Sequence, residues 1–304
     1  MKFSTLKSCL GNPRAFALAL IERGSLDWLP DALYLQLYFR TVMGHPLHLR
    51  HPRTFNEKLQ WLKLHDRKPI YTRLVDKYAV RQYIADTIGD AFLVPLLGVW
   101  DTFDSIDRDA LPDRFVLKTN HDSGTVLLCH DKSAFDWENA RRIFDKALAT
   151  NYYYHGREWP YKNVPPKIIA EQYMAPDDSG DMTDYKFLCF NGTVKCAFTC
   201  TNRRTGRPLT VTFFDPQWNR LPFERHYHPD PDFIPKPAHL REMIDISERF
   251  ARDMQAIFVR VDFYEIGGRV YFSEFTFHPG NGLEEFTPET WDRTLGDWLD
   301  LHPV

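Results

Sequence analysis

Four side chains in this 304-residue sequence stand where their charge is costly unless something answers it. Lys118 ends the apolar run that begins at Phe115, and Lys186 interrupts the run from Asp184 to Phe190. Asp262 and Glu274 sit in two Val-, Phe- and Tyr-rich segments on either side of Gly267-Gly268. Burying one carboxylate is expensive, and burying two side by side is worse unless a cation neutralises them. Magnesium does so with hard oxygen ligands, taking one or two carboxylates together with substrate phosphates. A strand-end lysine followed by the amides of a Ser123-Gly124 loop can hold polyphosphate from two sides, and Lys186 needs an anion. His121 and Asp122 cap that loop or touch substrate. The sequence has no P-loop order, no nucleophile elbow, no H-E-x-x-H and no G-x-G-x-x-G after a strand.

These residues need elements to hold them. Val259 to Phe277 reads as a β-hairpin around Gly267-Gly268. A two-residue turn pairs Ile266 with Arg269 and sends Asp262 and Glu274 to opposite faces. A three-residue loop with a glycine bulge pairs Ile266 with Val270 and sets the two carboxylates directly opposite each other. The second register is expected, with Arg260 on the face of Asp262. Asn191-Gly192 signals a type I′ hairpin that puts Lys186, Leu188 and Phe190 on one face. Arg114 to Cys129 reads as two short strands joined by the polar loop. Pro165 to Met174 is a buried strand that leaves the apolar environment at Glu171; the backbone of Glu171, Gln172, Tyr173 and Met174 could read a flat purine edge.

Around these lie helices. Residues 1–50 are apolar and helical, with Leu33, Tyr34, Leu37, Tyr38, Val42 and Met43 at helical spacing until Gly44 and Pro46 stop the run. Thr54-Phe-Asn-Glu57 has the form of a capping box. Asp76 caps a helix that reaches Ile84 and ends at Gly89, and Phe92 to Trp100 is strand-like. Residues 134–163 give a helix and an aromatic, basic connector that is mostly packing. The polar loop Asp177–Thr183 precedes the Lys186 strand. Residues 201–237, with Arg203-Arg204, Arg207 and Arg225, read as a long loop or weak hairpin over a site, with cations suited to an anionic substrate. Pro237 to Ala256 is an amphipathic helix, His278-Pro-Gly280-Asn-Gly282 a glycine-rich turn beside the carboxylates, and Trp291 to Leu299 a final helix.

The composition is 43% hydrophobic and 15% aromatic, enough for a sizeable core. A formal net charge of −3 argues against nucleic acid as a partner. Five cysteines without a C-x-x-C pair fit a reducing compartment, with Cys196 and Cys200 as buried thiols on one strand face. No apolar run spans a membrane, and Ala15 to Ile21 lacks a cleavage site, so a cytoplasmic protein is expected.

The order of these parts resembles the ATP-grasp superfamily, and more narrowly its TupA-like, teichuronopeptide-biosynthesis family. The resemblance rests on Phe55-Asn-Glu-Lys58-Leu-Gln-Trp61, Asp76-Lys77-Tyr78, Phe115-Val-Leu-Lys118, Asp184-Tyr-Lys186-Phe, Val259-Arg-Val-Asp262 and Glu274-Phe-Thr276-Phe. It implies an α+β ATP-grasp fold in which two subdomains clasp ATP. The divisions would be a helical N-terminal region (1–75), a pre-grasp segment (76–112), a small subdomain (113–170) and a large one (171–304). Lys118 and Lys186 would contact ATP phosphates, with Ser123 and Gly124 as the covering loop. Glu171, Gln172, Tyr173 and Met174 would line the adenine pocket, and Asp184 would meet the ribose or stand behind a group that touches the nucleotide. Asp262 and Glu274 would bind Mg2+, where Thr276 replaces the asparagine common in the superfamily. Arg260 would hold the acyl phosphate or the acceptor carboxylate. The implied reaction is ATP-dependent ligation of an amine to a uronic acid of a surface polysaccharide precursor, with peripheral association to membrane-bound glycan assembly. The alternatives are a glycan phosphotransferase and a non-catalytic glycan-binding scaffold.

Overall fold

The computed structural model describes residues 12–174, 183–202 and 206–301. Its helices are α1 (Pro13–Glu22), α2 (Asp31–Met43), α3 (Phe55–His65), α4 (Ile70–Val75), α5 (Val80–Thr87), α6 (Trp137–Leu148), α7 (Tyr153–Gly156), α8 (Leu240–Asp253) and α9 (Thr290–Asp297). The strands are β1 (Leu96–Trp100), β2 (Phe115–Thr119), β3 (Val126–Cys129), β4 (Ile168–Gln172), β5 (Asp184–Phe190), β6 (Thr193–Thr201), β7 (Thr210–Phe214), β8 (Glu224–Arg225), β9 (Phe258–Ile266), β10 (Arg269–Thr276) and β11 (Phe286–Thr287).

A four-stranded antiparallel sheet runs β1-β4-β2-β3, and a five-stranded antiparallel sheet runs β10-β9-β5-β6-β7. The smaller sheet packs Phe115, Leu117 and Ala170 against Ala140 and Phe144 of α6. The larger sheet is covered on both faces. Phe187, Val261 and Phe263 meet Met243 and Phe250 of α8 together with α4 and α5. Leu188, Phe190 and Phe198 on the other face meet Phe55, Leu59 and Leu62 of α3 and Leu295 of α9. All seven residues of β5 are therefore buried, including Lys186. At about 1.5–3 kcal/mol per fully buried large apolar side chain, this double covering makes the sheet a stiff platform. Cys196 and Cys200 are buried as expected.

The hairpin departs from its expected register while reaching the expected juxtaposition. Gly267 and Gly268 both have positive φ (57° and 72°), as a type I′ turn requires, and Ile266 pairs with Arg269. The slip of one residue occurs farther along, between Phe272 and Glu274, where Ser273 is the extra residue of a bulge; Glu274 then lies opposite Asp262. The glycine pair satisfied the tighter turn, so the register change moved into the strand.

Other expectations change as well. The capping box at Thr54 and Glu57 is present. Asp76, however, caps the turn at Tyr78 and Ala79, and the helix itself begins at Val80. In the stretch 92–100 the regular strand begins at Leu96, with an isolated bridge from Leu93 to Phe272 before it, and the amphipathic helix spans Leu240–Asp253. Of the two readings of residues 201–237, the hairpin holds in part: Thr210–Phe214 adds β7 to the larger sheet with every residue buried, and Phe214 bridges back to Arg220. In α2, Tyr34 and Phe39 are buried while Leu33 and Leu37 are exposed. The residues Arg203-Arg204, most of the polar loop Asp177–Thr183, and positions 1–11 lie outside the described residues. Among the described residues, no helix is long and apolar enough to cross a membrane.

Candidate active site

The larger sheet sets three charged residues in one row across three strands. Lys186 of β5 is the direct partner of Asp262 of β9, which is the direct partner of Glu274 of β10. Lys186 Nζ donates to Asp262 Oδ2 and lies 2.7 Å from Asp184 Oδ2. Two residues along β9, Arg260 donates Nε to Asp262 Oδ1 at 2.7 Å and Nη2 to Oδ2 at 2.6 Å. The same Nη2 reaches Glu274 Oε1 at 2.9 Å. Burial alone would raise the Asp262 carboxyl, but Arg260 and Lys186 overcome it and hold it below the ordinary carboxylate range. Burial likewise opposes the charge on Lys186, which Asp184 and Asp262 restore and push above its usual value.

The smaller sheet supplies the facing side. Lys118, near the end of β2, pairs with Glu171 of β4, which Arg81 of α5 also approaches at 3.4 Å. Despite burial, Glu171 and Tyr264 hold the Lys118 ammonium above its ordinary value, and Glu274 of the other sheet adds to this. The lysine thus feels groups on β9 and β10, so the two sheets converge on one volume. The expectation that Glu171 leaves the apolar environment is corrected: its residue is 7% exposed and its carboxylate is held by Lys118 and Arg81. Gln172 is the exposed end of β4, and Tyr173 stacks under Arg114 at 4.3 Å.

The loop from Asn120 to Thr125 is built for shape. Asn120 is fully buried, donates to Asp76 and to Pro165 O, and accepts from the Lys167 amide. Asp122 accepts from the hydroxyls of Thr119 and Thr125, so its charge closes its own loop. His121 turns away, its Nε2 3.1 Å from Ala147 O at the end of α6. Lys77 reaches the loop through Asp122 O and is influenced by Glu274 and Lys118. It is a site lysine that strand patterning did not single out, although Asp76-Lys77-Tyr78 carried part of the resemblance.

A cleft of about 420 Å³ opens beside the row, lined by Ser123, Tyr152, Glu158, Tyr161, Arg260, Glu274, Thr276, His278 and Asn281 among others. Glu274 Oε2 has no hydrogen-bond partner among the described residues, whereas both oxygens of Asp262 are occupied. Glu274 thus keeps a hard oxygen of the kind magnesium takes, whereas Asp262 could join it only once Arg260 and Lys186 release its oxygens. Among the described residues no group of three His, Cys, Asp or Glu side chains gathers to hold a metal. Asp262, Glu274 and Arg260 therefore gather as their spacing suggested. Of the cations in residues 201–237, Arg225 is spent elsewhere, over the Phe198 ring and 2.9 Å from Glu284. In the aromatic connector, Arg157 is buried over Tyr34 at 4.2 Å and serves packing.

A family model described as TupA-like ATP-grasp matches residues 57–300. The chain belongs to the TupA-like ATP-grasp family. Its α+β fold, with a helical region ahead of the two sheets, is the ATP-grasp fold. No curated protein matches it. Among solved structures, it is similar to D-alanine–D-alanine ligase from Bacillus anthracis complexed with ATP, at 15% identity and TM-score 0.42, covering 68% of this chain and 56% of that one. It is also similar to an L-amino acid ligase from Bacillus licheniformis, at 13% identity and TM-score 0.46, covering 85% and 58%. A third is the biotin carboxylase domain of 2-oxoglutarate carboxylase from Hydrogenobacter thermophilus with MgADP, ADP and bicarbonate, at 14% and 0.43, covering 76% and 47%. The chain spans less than two thirds of the length of each. In this ATP-grasp frame, Lys118, Lys186, Arg260, Asp262 and Glu274 form one cluster, while His121 stands outside it.

Proposed function

We propose that this protein is an ATP-dependent carboxylate–amine ligase that forms an amide through an acyl phosphate. The observation that carries the reading is the row Lys186–Asp262–Glu274 with Arg260, beside a cleft that Arg260 and Glu274 line, and with Lys118 close enough to feel Glu274. Phosphoryl transfer needs positioned charge more than a protein nucleophile; the cleft offers an arginine and carboxylates, and the lysines stand beside it. Lys118 and Lys186 hold the nucleotide phosphates, and Ser123 and Gly124 cover them. Glu171 to Met174 borders the adenine, and Asp184 stands near the ribose. Asp262 and Glu274 would hold Mg2+, which neutralises charge on the phosphates during transfer. Arg260, freed from one carboxylate, grips the acyl phosphate through its planar fork.

Family membership supports a uronic acid of a surface polysaccharide precursor as the carboxylate and an amino acid or other amine as its partner. Work at the cytoplasmic face of membrane-bound glycan assembly is part of this reading. The test supplies the protein with Mg·ATP, D-glucuronate and an amino-acid panel, and follows ADP together with amide by mass spectrometry. ADP release that requires both acid and amine is expected. A phosphorylated sugar formed without any amine would replace the ligase by a kinase, and no nucleotide turnover with any acid would sink both.

A further inference from the structure

The half of the cleft away from the Lys186 row carries polar chemistry that the nucleotide does not use. Glu158 follows α7 and is 6% exposed; its carboxylate has no hydrogen bond of 3.5 Å or less among the described residues. The basic nitrogen that approaches it is His278 Nδ1, 3.6 Å from Oε2. His278 is 4% exposed, and that Nδ1 is otherwise an unsatisfied buried atom. The imidazole lines the cleft and its Nε2 has no partner among the described residues. A carboxylate against Nδ1 fixes the tautomer with the proton on that nitrogen and leaves the Nε2 lone pair free.

The surrounding backbone is held in place at some conformational cost. Gly280 and Asn281 both have left-handed φ, 55° and 61°, in the turn that follows His278. Such a conformation persists only where neighbours over-determine it. Here α3 does so: Gln60 Nε2 donates to Asn281 O and Gly282 O at 2.8 and 2.7 Å. Lys63 Nζ donates to Asn281 O and Oδ1 at 2.8 and 2.7 Å. Lys63 also donates to Gly156 O at 2.8 Å, two residues from Glu158. One buried lysine nitrogen thus ties the segment bearing Glu158 to the segment bearing His278. This gives the polar residues of α3, which the nucleotide site leaves unexplained, a place in the chemistry.

We infer that Glu158 and His278 form a proton-accepting dyad for the amine substrate, with His278 as the catalytic base and Glu158 as its positioning residue. The inference rests on the ligase reading. The substrate arrives as an ammonium ion, drawn by Glu158 and Glu274. His278 Nε2 takes one proton and becomes imidazolium; the free amine attacks the acyl carbonyl, the C–N bond forms and the C–O bond to phosphate breaks. The second N–H proton leaves with inorganic phosphate, so charge and atoms balance. Burial holds the imidazole below its ordinary value and Lys63 opposes its protonation, while Glu158 and Asp66 favour it. The base is therefore neutral when the amine binds.

Hydroxylamine separates the two halves of the reaction, because it is far less basic than an alkyl amine and reaches neutral pH already deprotonated. With Mg·ATP and D-glucuronate, hydroxamate from hydroxylamine is compared with amide from glycinamide. His278→Asn is expected to lower the amide-to-hydroxamate ratio by about 100-fold, the usual scale of a positioned base. Glu158→Gln is expected to move the rising limb of the amide pH profile to lower pH, since it removes a charge that favours the imidazolium; a merely structural role would leave the limb in place. Equal loss of both products in His278→Asn with an unmoved limb in Glu158→Gln overturns the dyad alone. No hydroxamate from the wild type overturns the ligase reading beneath it. If His278→Asn fails to fold, the Glu158→Gln profile decides.

Discussion

Arg260 bridges Asp262 and Glu274 with one nitrogen, Nη2, which lies 2.6 Å from Asp262 Oδ2 and 2.9 Å from Glu274 Oε1, while its Nε donates a further bond to Asp262 Oδ1. The two carboxylates nonetheless have different standing. Asp262 is fully buried with both oxygens taken, while the Glu274 side chain is 32% exposed and has one oxygen without a hydrogen bond among the described residues. The same row is therefore structural at its centre and available at its edge.

Glu274→Gln should accordingly change stability by less than about 1 kcal/mol, since it removes one partly exposed member of the network. Its effect belongs to ligand binding. ADP and Mg2+ together, at one hundred times their dissociation constant, should add about 2.7 kcal/mol to wild-type stability. That gain should vanish in Glu274→Gln when thermal unfolding is followed with ADP alone, Mg2+ alone and both. A full gain in the variant would remove Glu274 from the metal site.

Asp262→Asn should instead unfold more easily by about 3–5 kcal/mol in urea titrations. It leaves Arg260 and Lys186 buried beside a neutral amide, the costly half of a broken buried pair. Because the folded carboxyl lies below its ordinary value, its contribution is full above the unfolded pKa and fades as pH falls through the acid range. The gap between wild type and Asp262→Asn should therefore narrow on acidification. A constant gap from neutral to acid pH would show that the loss is one of packing.

Lys118→Met and Lys186→Met test convergence of the two sheets. Each removes a cation from the proposed phosphate site, and each charge-assisted hydrogen bond lost is worth about 1.5–3 kcal/mol. Nucleotide affinity measured by calorimetry should fall at least 10-fold in either variant. Lys118→Met leaves Glu171 with Arg81, so its fold should hold. Lys186→Met leaves Asp184 and Asp262 buried without their shared ammonium, so it should also lose stability. If only one lysine affects nucleotide, the other belongs to the scaffold.

The chemistry-bearing residues were legible because each violated the pattern around it: a lysine in a buried strand, a carboxylate in each arm of a hairpin. The turn chemistry of Gly267-Gly268 and Asn191-Gly192 was legible for the same local reason. The bulge at Ser273 was not, since nothing in its side chain requires an extra residue there; only the pairing of whole strands reveals it. β7 was hidden because Pro208, Pro216 and several arginines around Thr210–Phe214 read as loop, whereas tertiary pairing with β6 decides the matter. Glu158 and His278 lie 120 positions apart in the chain and come together only through α3. Lys63 sits among the alternating polar and apolar residues of α3, and no periodicity marks it as buried.

That lysine supplies the last prediction. Lys63 is fully buried and donates to Gln60, Gly156 and Asn281, with no carboxylate of the described residues in direct contact. Burial pushes its ammonium down from the ordinary 10.5 to about 7, with Glu158 opposing only in part. The unfolded chain therefore binds a proton that the folded chain does not hold between those two values. Stability should rise with pH across that interval, with a slope of at most about 1.4 kcal/mol per pH unit from this group, and be flat with respect to it on either side. Chemical denaturation from pH 6 to 10 in wild type and Lys63→Gln measures it. The variant should lose the rise and lie lower throughout, because Gly156 O and Asn281 O lose their donor at about 1–3 kcal/mol per stranded group. A rise of equal slope in both proteins would assign it to other lysines, and would mean that Lys63 keeps its proton and grips the cleft wall at every pH the enzyme meets.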